Sequence, residues 1–263
     1  MRRYLFLYKI FMQQYFKKLM QSKLDFFMGF VGFFLNQVLG IVFLQLVFEK
    51  IPNLNGWNFY QLVFIYGFAQ IPRGIDHFFT NYLWIFARKT VKEGAFDRYL
   101  LRPINPLFQV LVEQCQVDGI GEVAVGVILV VYAAGKMGIE MTLLTVPLFL
   151  IAVLAGAVIY MSVKLFFASN AFFMKDCYNL LYMAYNMSDF AKYPCTIYSR
   201  SVNVVLTCVL PFAFTAFIPA QFFLMESSVL ATIGLECVVA VVAFVIAYGY
   251  FNLGVNRYES AGN

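Results

Sequence analysis

The sequence predicts an all-α integral membrane protein: six transmembrane helices, preceded by an N-terminal amphipathic helix lying on the membrane. Three observations lead there. Of 263 residues, 62% are hydrophobic and only 13% charged, against about a quarter charged in soluble domains. Four uncharged runs, Phe26–Phe48, Met141–Val163, Ser201–Met225 and Cys237–Asn256, reach the ~20 residues a helix needs to cross ~30 Å of hydrocarbon. Lys and Arg are also distributed unevenly between the segments that separate the apolar runs.

Taken in order, residues 1–24 hold too many cations to span. On a helical wheel Tyr4, Tyr8, Phe11, Met12, Tyr15 and Leu19 share one face, with Arg2, Lys9, Gln13, Lys17 and Gln21 opposite. That is the pattern of an interfacial helix with its aromatics dipped into the membrane and its cations in water. The stretch lacks the apolar core and small-residue cleavage site of a signal peptide. The six-span domain covers 25–256. Span one is placed at about 26–48. After "EKIPNLNG" comes span two, about 57–86, interrupted by "QIPRGID". A polar loop, 87–106, leads to span three, about 107–134, the least apolar of the set. Span four covers about 142–173. Residues 174–199, polar and aromatic, read as too charged to span. Spans five and six follow at about 200–222 and 229–253, with a polar tail, 257–263.

Six crossings put both termini on one side. Of the 19 Lys and Arg, fifteen fall on that side, from Arg2 through the 87–106 loop to Arg257. Only Lys50 and Lys136 fall on the other, and Arg73 and Lys164 lie within spans. Cytoplasmic loops carry the excess of Lys and Arg, so both termini and the 87–106 loop are expected in the cytoplasm. This topology accounts for the net charge of +5 without a nucleic-acid partner. The partner common to all spans is membrane lipid.

Catalytic chemistry finds little to work with. His77 is the one histidine, so no His-rich metal site can form. No G-x-x-x-x-G-K-[ST] phosphate loop is present, and no G-x-S-x-G nucleophile elbow. The chain therefore reads as no enzyme, with no cofactor and no metal of its own. Its five cysteines form no C-x-x-C pair and read as free thiols. The glycines, spread through apolar helices, read as sites of close helix packing.

Charges inside spans are costly and therefore informative. Arg73, Asp76 and His77 fall on span two. Glu113, Asp118 and Glu122 fall on span three, Lys164 on span four and Glu236 on span six. At 1.5 Å per residue Arg73 lies roughly 24 Å below the outer end of its span, and Asp118 about 17 Å above the inner end of its own. Those depths predict that Arg73 or Lys164 neutralises Asp118, Glu122 or Glu113. Such a cluster could be structural ion pairing, the lining of a polar path or a proton relay. Pro211 and Pro219 break the backbone ladder of an apolar segment. The carbonyls they free must be buried in protein or face water, whether the result is a kinked span or a re-entrant turn.

The 87–106 loop is far longer than closing a helical hairpin requires. Its Glu93, Asp97, Arg98 and Arg102 offer a polar contact, and Pro103 and Pro106 would end a short helix within it. Two stretches, "GAFDRYLLRPINPLFQ" (Gly94–Gln109) and "DFAKYPCTIYSRSVNVVLTCVLPFAFTAFIPAQFFL" (Asp189–Leu224), resemble the permease subunits of type-2 ATP-binding-cassette (ABC) exporters. The likeness is to the six-span bacterial branch encoded beside a second permease and an ATPase.

That resemblance implies a cytoplasmic coupling helix between spans two and three, held by a dimer of ATP-binding subunits. Glu93, Asp97, Arg98, Arg102 and Pro103 would make the contact. It implies that ATP and Mg are bound by the partner subunit and not by this chain. A second permease chain, identical or homologous, would face this one across a pathway near spans one, two and five. An outer gate would form where the chain re-enters at about 217–225, shaped by Pro211 and Pro219. The function implied is export of an amphipathic or hydrophobic cargo. An ion-gradient-driven carrier or channel that uses the intramembrane carboxylates is the alternative.

Overall fold

The computed structural model describes residues 23–50, 53–140, 142–174, 176–225 and 227–259, together with Gln13. The expected amphipathic helix over 1–24 lies almost wholly outside the described residues. Every regular element among the described residues is helical. By length and composition, three helical stretches there could cross a membrane: Asp118–Met137, Thr145–Phe172 and Leu230–Arg257.

Helix α1 (Lys23–Lys50) is apolar on most sides. Phe34, Leu35, Leu39, Phe43 and Leu46 point outward, and Gln37 is buried. After a tight turn with Gly56 at positive φ, Asn58 caps α2 (Phe59–Thr80). Its side chain accepts from Gln61 N, and the Gln61 side chain accepts from Asn58 N. This reciprocal cap satisfies donors that would otherwise be orphaned. The helix continues as α3 (Tyr82–Ile85) and a π-helical turn, Phe86–Thr90. After α4 (Asp97–Leu100), α5 (Pro106–Val112) turns back toward α6 (Asp118–Met137).

Helices α2 and α6 lie antiparallel in glycine-mediated contact. A Cβ on Gly74 would stand 2.6 Å from Gly119 O, and one on Gly126 2.7 Å from Gly67 O. Both glycine pairs are seven residues apart, so both fall in the same helical seam. The contact expected of glycines in lipid-embedded helices is thus made at two levels. Helix α7 (Thr145–Ala168, continued by a 3-10 turn Ser169–Phe172) and α11 (Leu235–Arg257, entered through a π-helical turn Leu230–Gly234) complete the long elements.

The bundle has two recognisable ends. At one, Trp57 meets Phe217 with ring centroids 5.8 Å apart. At the other, Tyr99 lies in an aromatic cluster with Phe86, Phe96, Phe172 and Phe251. The segment after α7 runs from the second end to the first. It comprises α8 (Tyr178–Asn186) and 3-10 turns at Met187–Lys192 and Cys195–Ile197. Along it Tyr178 touches Trp84, Tyr185 bonds Asp76 and Asp189 meets Arg73. Lys192 lies over Tyr66, and Thr196 Oγ1 accepts from Trp57 Nε1 at 2.9 Å.

Sequence patterning puts 174–199 in a polar loop and a span at 200–222, and the structure differs on both counts. Asp189 is matched by Arg73 across the bundle and Lys192 by Asp189 itself, which removes the reason to keep this segment out of it. Residues 200–222 are instead three short pieces. Helix α9 (Arg200–Val204) with its π-helical turn Val205–Val209 leads to a break at Leu210–Pro211. A 3-10 turn, Phe212–Thr215, follows, then α10 (Phe217–Met225). Phe212 packs at mid-bundle against Tyr160 and Tyr185, and five residues later Phe217 is back beside Trp57. The chain enters the bundle and turns back. Span three also differs, being interrupted between α5 and α6 around 113–117.

Candidate functional site

Two polar constructions stand out in this apolar bundle. The first is a belt of charges on the second half of α2. Asp76 and Lys164 are both completely buried, with Lys164 Nζ 2.5 Å from Asp76 Oδ2. Thr80 Oγ1 accepts from Lys164 Nζ at 3.0 Å and donates to Asp76 Oδ1, and Tyr185 OH donates to Asp76 Oδ2 at 2.8 Å. The carboxylate is thus paired and hydrogen-bonded, the condition under which a buried charge is tolerated. Beside it Arg73 donates to Asp189 Oδ1 at 2.6 Å, and Lys192 reaches the same oxygen at 2.8 Å. On the α6 side, His77 Nδ1 meets Glu122 Oε1 at 3.0 Å.

The closest contacts differ from those expected from sequence, although Glu122 stays within electrostatic reach of Arg73. Arg73 pairs with Asp189 and Lys164 with Asp76, while Glu122 meets His77. Glu113 is held by Arg98, and Asp118 accepts from its neighbour Gln116 at 3.0 Å. The reason is the fold: the 178–197 segment brings a carboxylate to Arg73, and α7 approaches α2 on its Asp76 side. Asp76, Tyr185, Asp189 and Lys192 are the members of the belt that sequence reasoning did not use. The i,i+3 spacing of Asp189 and Lys192 was the available signal, hidden once 174–199 was placed in a loop. Glu236 stands apart. It is fully buried, with neither carboxyl oxygen partnered among the described residues.

The second construction is the 87–106 loop. Arg98 donates to Tyr99 OH, Tyr82 OH and Glu113 Oε1 at 2.7, 3.2 and 2.9 Å. Burial, and next the hydrogen bond to Tyr82, hold the Tyr99 phenol well above its ordinary pKa. Gln109 Nε2 ties the backbone by donating to Tyr99 O and Ile104 O, both at 2.9 Å. Asn105 caps α5 through Phe108 N and donates to Tyr248 OH on α11. Pro106 sits at the first helical position of α5, where its missing N–H costs nothing. With Phe86, Phe96 and Phe172 in edge-to-face contact beneath it, the loop is a braced projection on α7 and α11.

What this projection shows to solvent is Leu100, Leu101, Arg102 and Pro103, with Leu101 84% exposed. Of the predicted contact residues, Glu93, Arg98, Arg102 and Pro103 lie on the surface and Asp97 is half-buried; Arg98 is also tied to Glu113. A depression of about 800 Å³ opens beside Glu93, lined also by Trp84, Arg88, Lys89, Lys92, Asp176 and Tyr178. Cys177, between Asp176 and Tyr178 in sequence, has its thiol pushed up to about 12 by burial first and the Asp176 charge second. It donates to Ala87 O and is chemically quiet. Cys177, Cys195, Cys208 and Cys237 are free thiols.

Pro211 lies in the mid-bundle turn, between extended Leu210 and the 3-10 turn at Phe212. Pro219 is buried in the first turn of α10, a position that tolerates proline.

Comparison with known protein families matches residues 34–262 to a family model described as ABC-2 family transporter protein. No curated protein and no solved structure matches the chain.

Proposed function

The chain belongs to the ABC-2 family of membrane transport proteins, and on that premise we propose that it is a permease subunit of an ATP-driven exporter, moving an amphipathic or hydrophobic cargo out of the cell. Permeases of this family associate with an ATP-binding subunit. The observation that carries the reading is the braced 87–106 projection. Its tip is exposed and partly apolar, its base is tied to α7 and α11, and α2 and α6 flank it. A push at Leu101–Pro103 would reach the bundle without being absorbed by loop bending.

In this reading the chain crosses the bacterial cell membrane six times. The passes are α1, α2, α5 with α6, α7, the 178–197 segment, and the Leu230–Arg257 helix. Both termini and the Tyr99 end lie in the cytoplasm. Arg88, Lys89, Lys92, Arg98, Arg102 and Arg257 fall at that end. Lys50 and Lys136 fall at the other, joined by Arg200, three residues beyond Ile197. The bias that orients membrane proteins survives the reassignment of span five. The re-entrant stretch 200–225 with Pro211 and Pro219 closes the pathway at the Trp57 end. A second permease chain, identical or homologous, covers the other side of that pathway. ATP and Mg are handled by the ATP-binding partner.

The test is the purified complex. Leu101→Asp and Arg102→Glu are expected to lower the ATPase activity that co-purifies with this chain by about tenfold or more, the loss of one interface anchor, with its thermal stability unchanged. Undiminished ATPase recovery with both substitutions in place would overturn the reading. The buried charge belt favours a second one, an ion-gradient-driven carrier. That reading requires transport in vesicles supplied with an ion gradient and no ATP.

A further inference from the structure

The charge belt has an open side. Asp189 is 50% exposed in this chain. Its partner Arg73 lies fourteen residues into α2, about 21 Å along the axis from the Trp57 end. A half-exposed carboxylate at that depth cannot face hydrocarbon, so this side faces water or protein. A single oxygen, Asp189 Oδ1, serves two cations, Arg73 and Lys192. Arg73 Nε is buried with no hydrogen-bond partner among the described residues. The cations therefore have donor capacity left over. Asp76 and Lys164 neutralise each other, and Glu122 on α6, hydrogen-bonded to His77, is a second carboxylate within electrostatic reach of Arg73 and Lys192. Neutral polar groups, Tyr66, Gln70 and Gln37, hydrogen-bond to one another on the α1 side. Tyr182, Met183 and Phe190, on the same segment as Asp189, are exposed apolar surface.

We propose that Arg73 and Lys192 form a recognition site for the anionic head, carboxylate or phosphate, of an amphipathic cargo, with Asp189 the built-in anion that the head displaces. The proposal rests on the permease reading for the word cargo, and on this chain's own geometry for the site. Two cations sharing one carboxylate oxygen bind an incoming anion by charge-assisted hydrogen bonds, and Arg presents its donors in a fixed fork. The apolar surface of Tyr182, Met183 and Phe190 receives the chain behind the head. A purely structural ion pair has no use for an exposed counter-ion or an idle buried donor.

The experiment is equilibrium binding of radiolabelled dodecyl phosphate to the full chain in dodecyl maltoside. Dodecyltrimethylammonium and inorganic phosphate serve as competitors. The expected result is displacement by neither competitor at concentrations where unlabelled dodecyl phosphate displaces fully. Asp189→Asn, which removes the internal competitor, is expected to tighten dodecyl phosphate binding by roughly tenfold, and Lys192→Gln to weaken it by a similar factor. Unchanged or weaker binding in Asp189→Asn overturns the proposal. So does equal displacement by the cationic amphiphile, or by inorganic phosphate, which would make the site one for a free anion. No ATP and no partner enter this assay. A chain that binds as expected yet recruits no ATPase would sink the exporter reading alone.

Discussion

Lys164→Ala is expected to abolish recovery of folded protein from membranes. Lys164 is fully buried on α7, and its ammonium is the counter-charge of an equally buried Asp76 on α2. Removing the cation leaves Asp76 with the hydroxyls of Thr80 and Tyr185 but no neutralising charge. Breaking such a pair on one side costs about 3–5 kcal/mol, a large fraction of the ~5–15 kcal/mol that holds a domain together. The void left by three methylenes and the ammonium beneath Trp84 and Tyr185, whose rings lie 5.9 and 4.9 Å from that ammonium, adds to it. The double variant Asp76→Asn with Lys164→Met removes both charges and is expected to recover most of the folded yield. Size-exclusion profiles and thermal unfolding of the detergent-solubilised chain read both results. Equal loss in the double variant would show that the site needs the charges themselves, and that Lys164 does more than neutralise Asp76.

Gly119→Val is expected to be nearly as damaging, by a different route. A Cβ at Gly119 would meet Gly74 O and stand 2.8 Å from Phe78 N, so the obstruction is backbone, which no rotamer can move aside. Helices α2 and α6 would have to separate. Overpacking of this kind costs about 1–3 kcal/mol where side chains can adjust, and more is expected at this seam. Separation would also pull His77 from Glu122 and loosen the Phe78 O contact that fixes the interruption before α6. Gly135 is the control: a Cβ there meets nothing within 4 Å, so Gly135→Ala should leave thermal stability within error. A stable Gly119→Val variant with unchanged unfolding temperature would contradict the close packing of this seam.

The two predictions mark where the sequence was legible. Uncharged runs revealed α1, α7 and α11, because a helix that is apolar on all sides has one destination. The role of the glycines in packing was readable for the same reason, though not which pairs meet. The 178–197 segment was misread because hydropathy counts each charge as if it stood alone. Asp189 and Lys192 enter the bundle as partners of Arg73 and of each other. Pairing across 116 residues leaves no mark in a local window. The same blindness hid Asp189 and Asp76 as the closest acidic partners of Arg73 and Lys164. Pro211 and Pro219 signalled a broken segment but not its path, which depends on Phe212 finding Tyr160 and Tyr185. In the 87–106 loop the prolines and charges marked what the structure shows as a braced projection. Sequence could not separate Arg98, an exposed side chain that nonetheless ties Tyr82, Tyr99 and Glu113 together, from Arg102 at the tip. It also overlooked Leu101, since an exposed leucine is unremarkable until the loop beneath it is seen to be rigid.

The central claim is that energy reaches this permease at the tip of the 87–106 projection. A photo-crosslinking residue placed at Leu101, in cells that express the whole complex, tests it most directly. The predicted result is a covalent adduct with an ATP-binding subunit, formed from the cytoplasmic side and altered in yield when ATP is trapped in the assembly. Contradiction would be labelling of that position by a membrane-impermeant reagent from outside the cell, or adducts in the working complex that never include an ATP-binding protein.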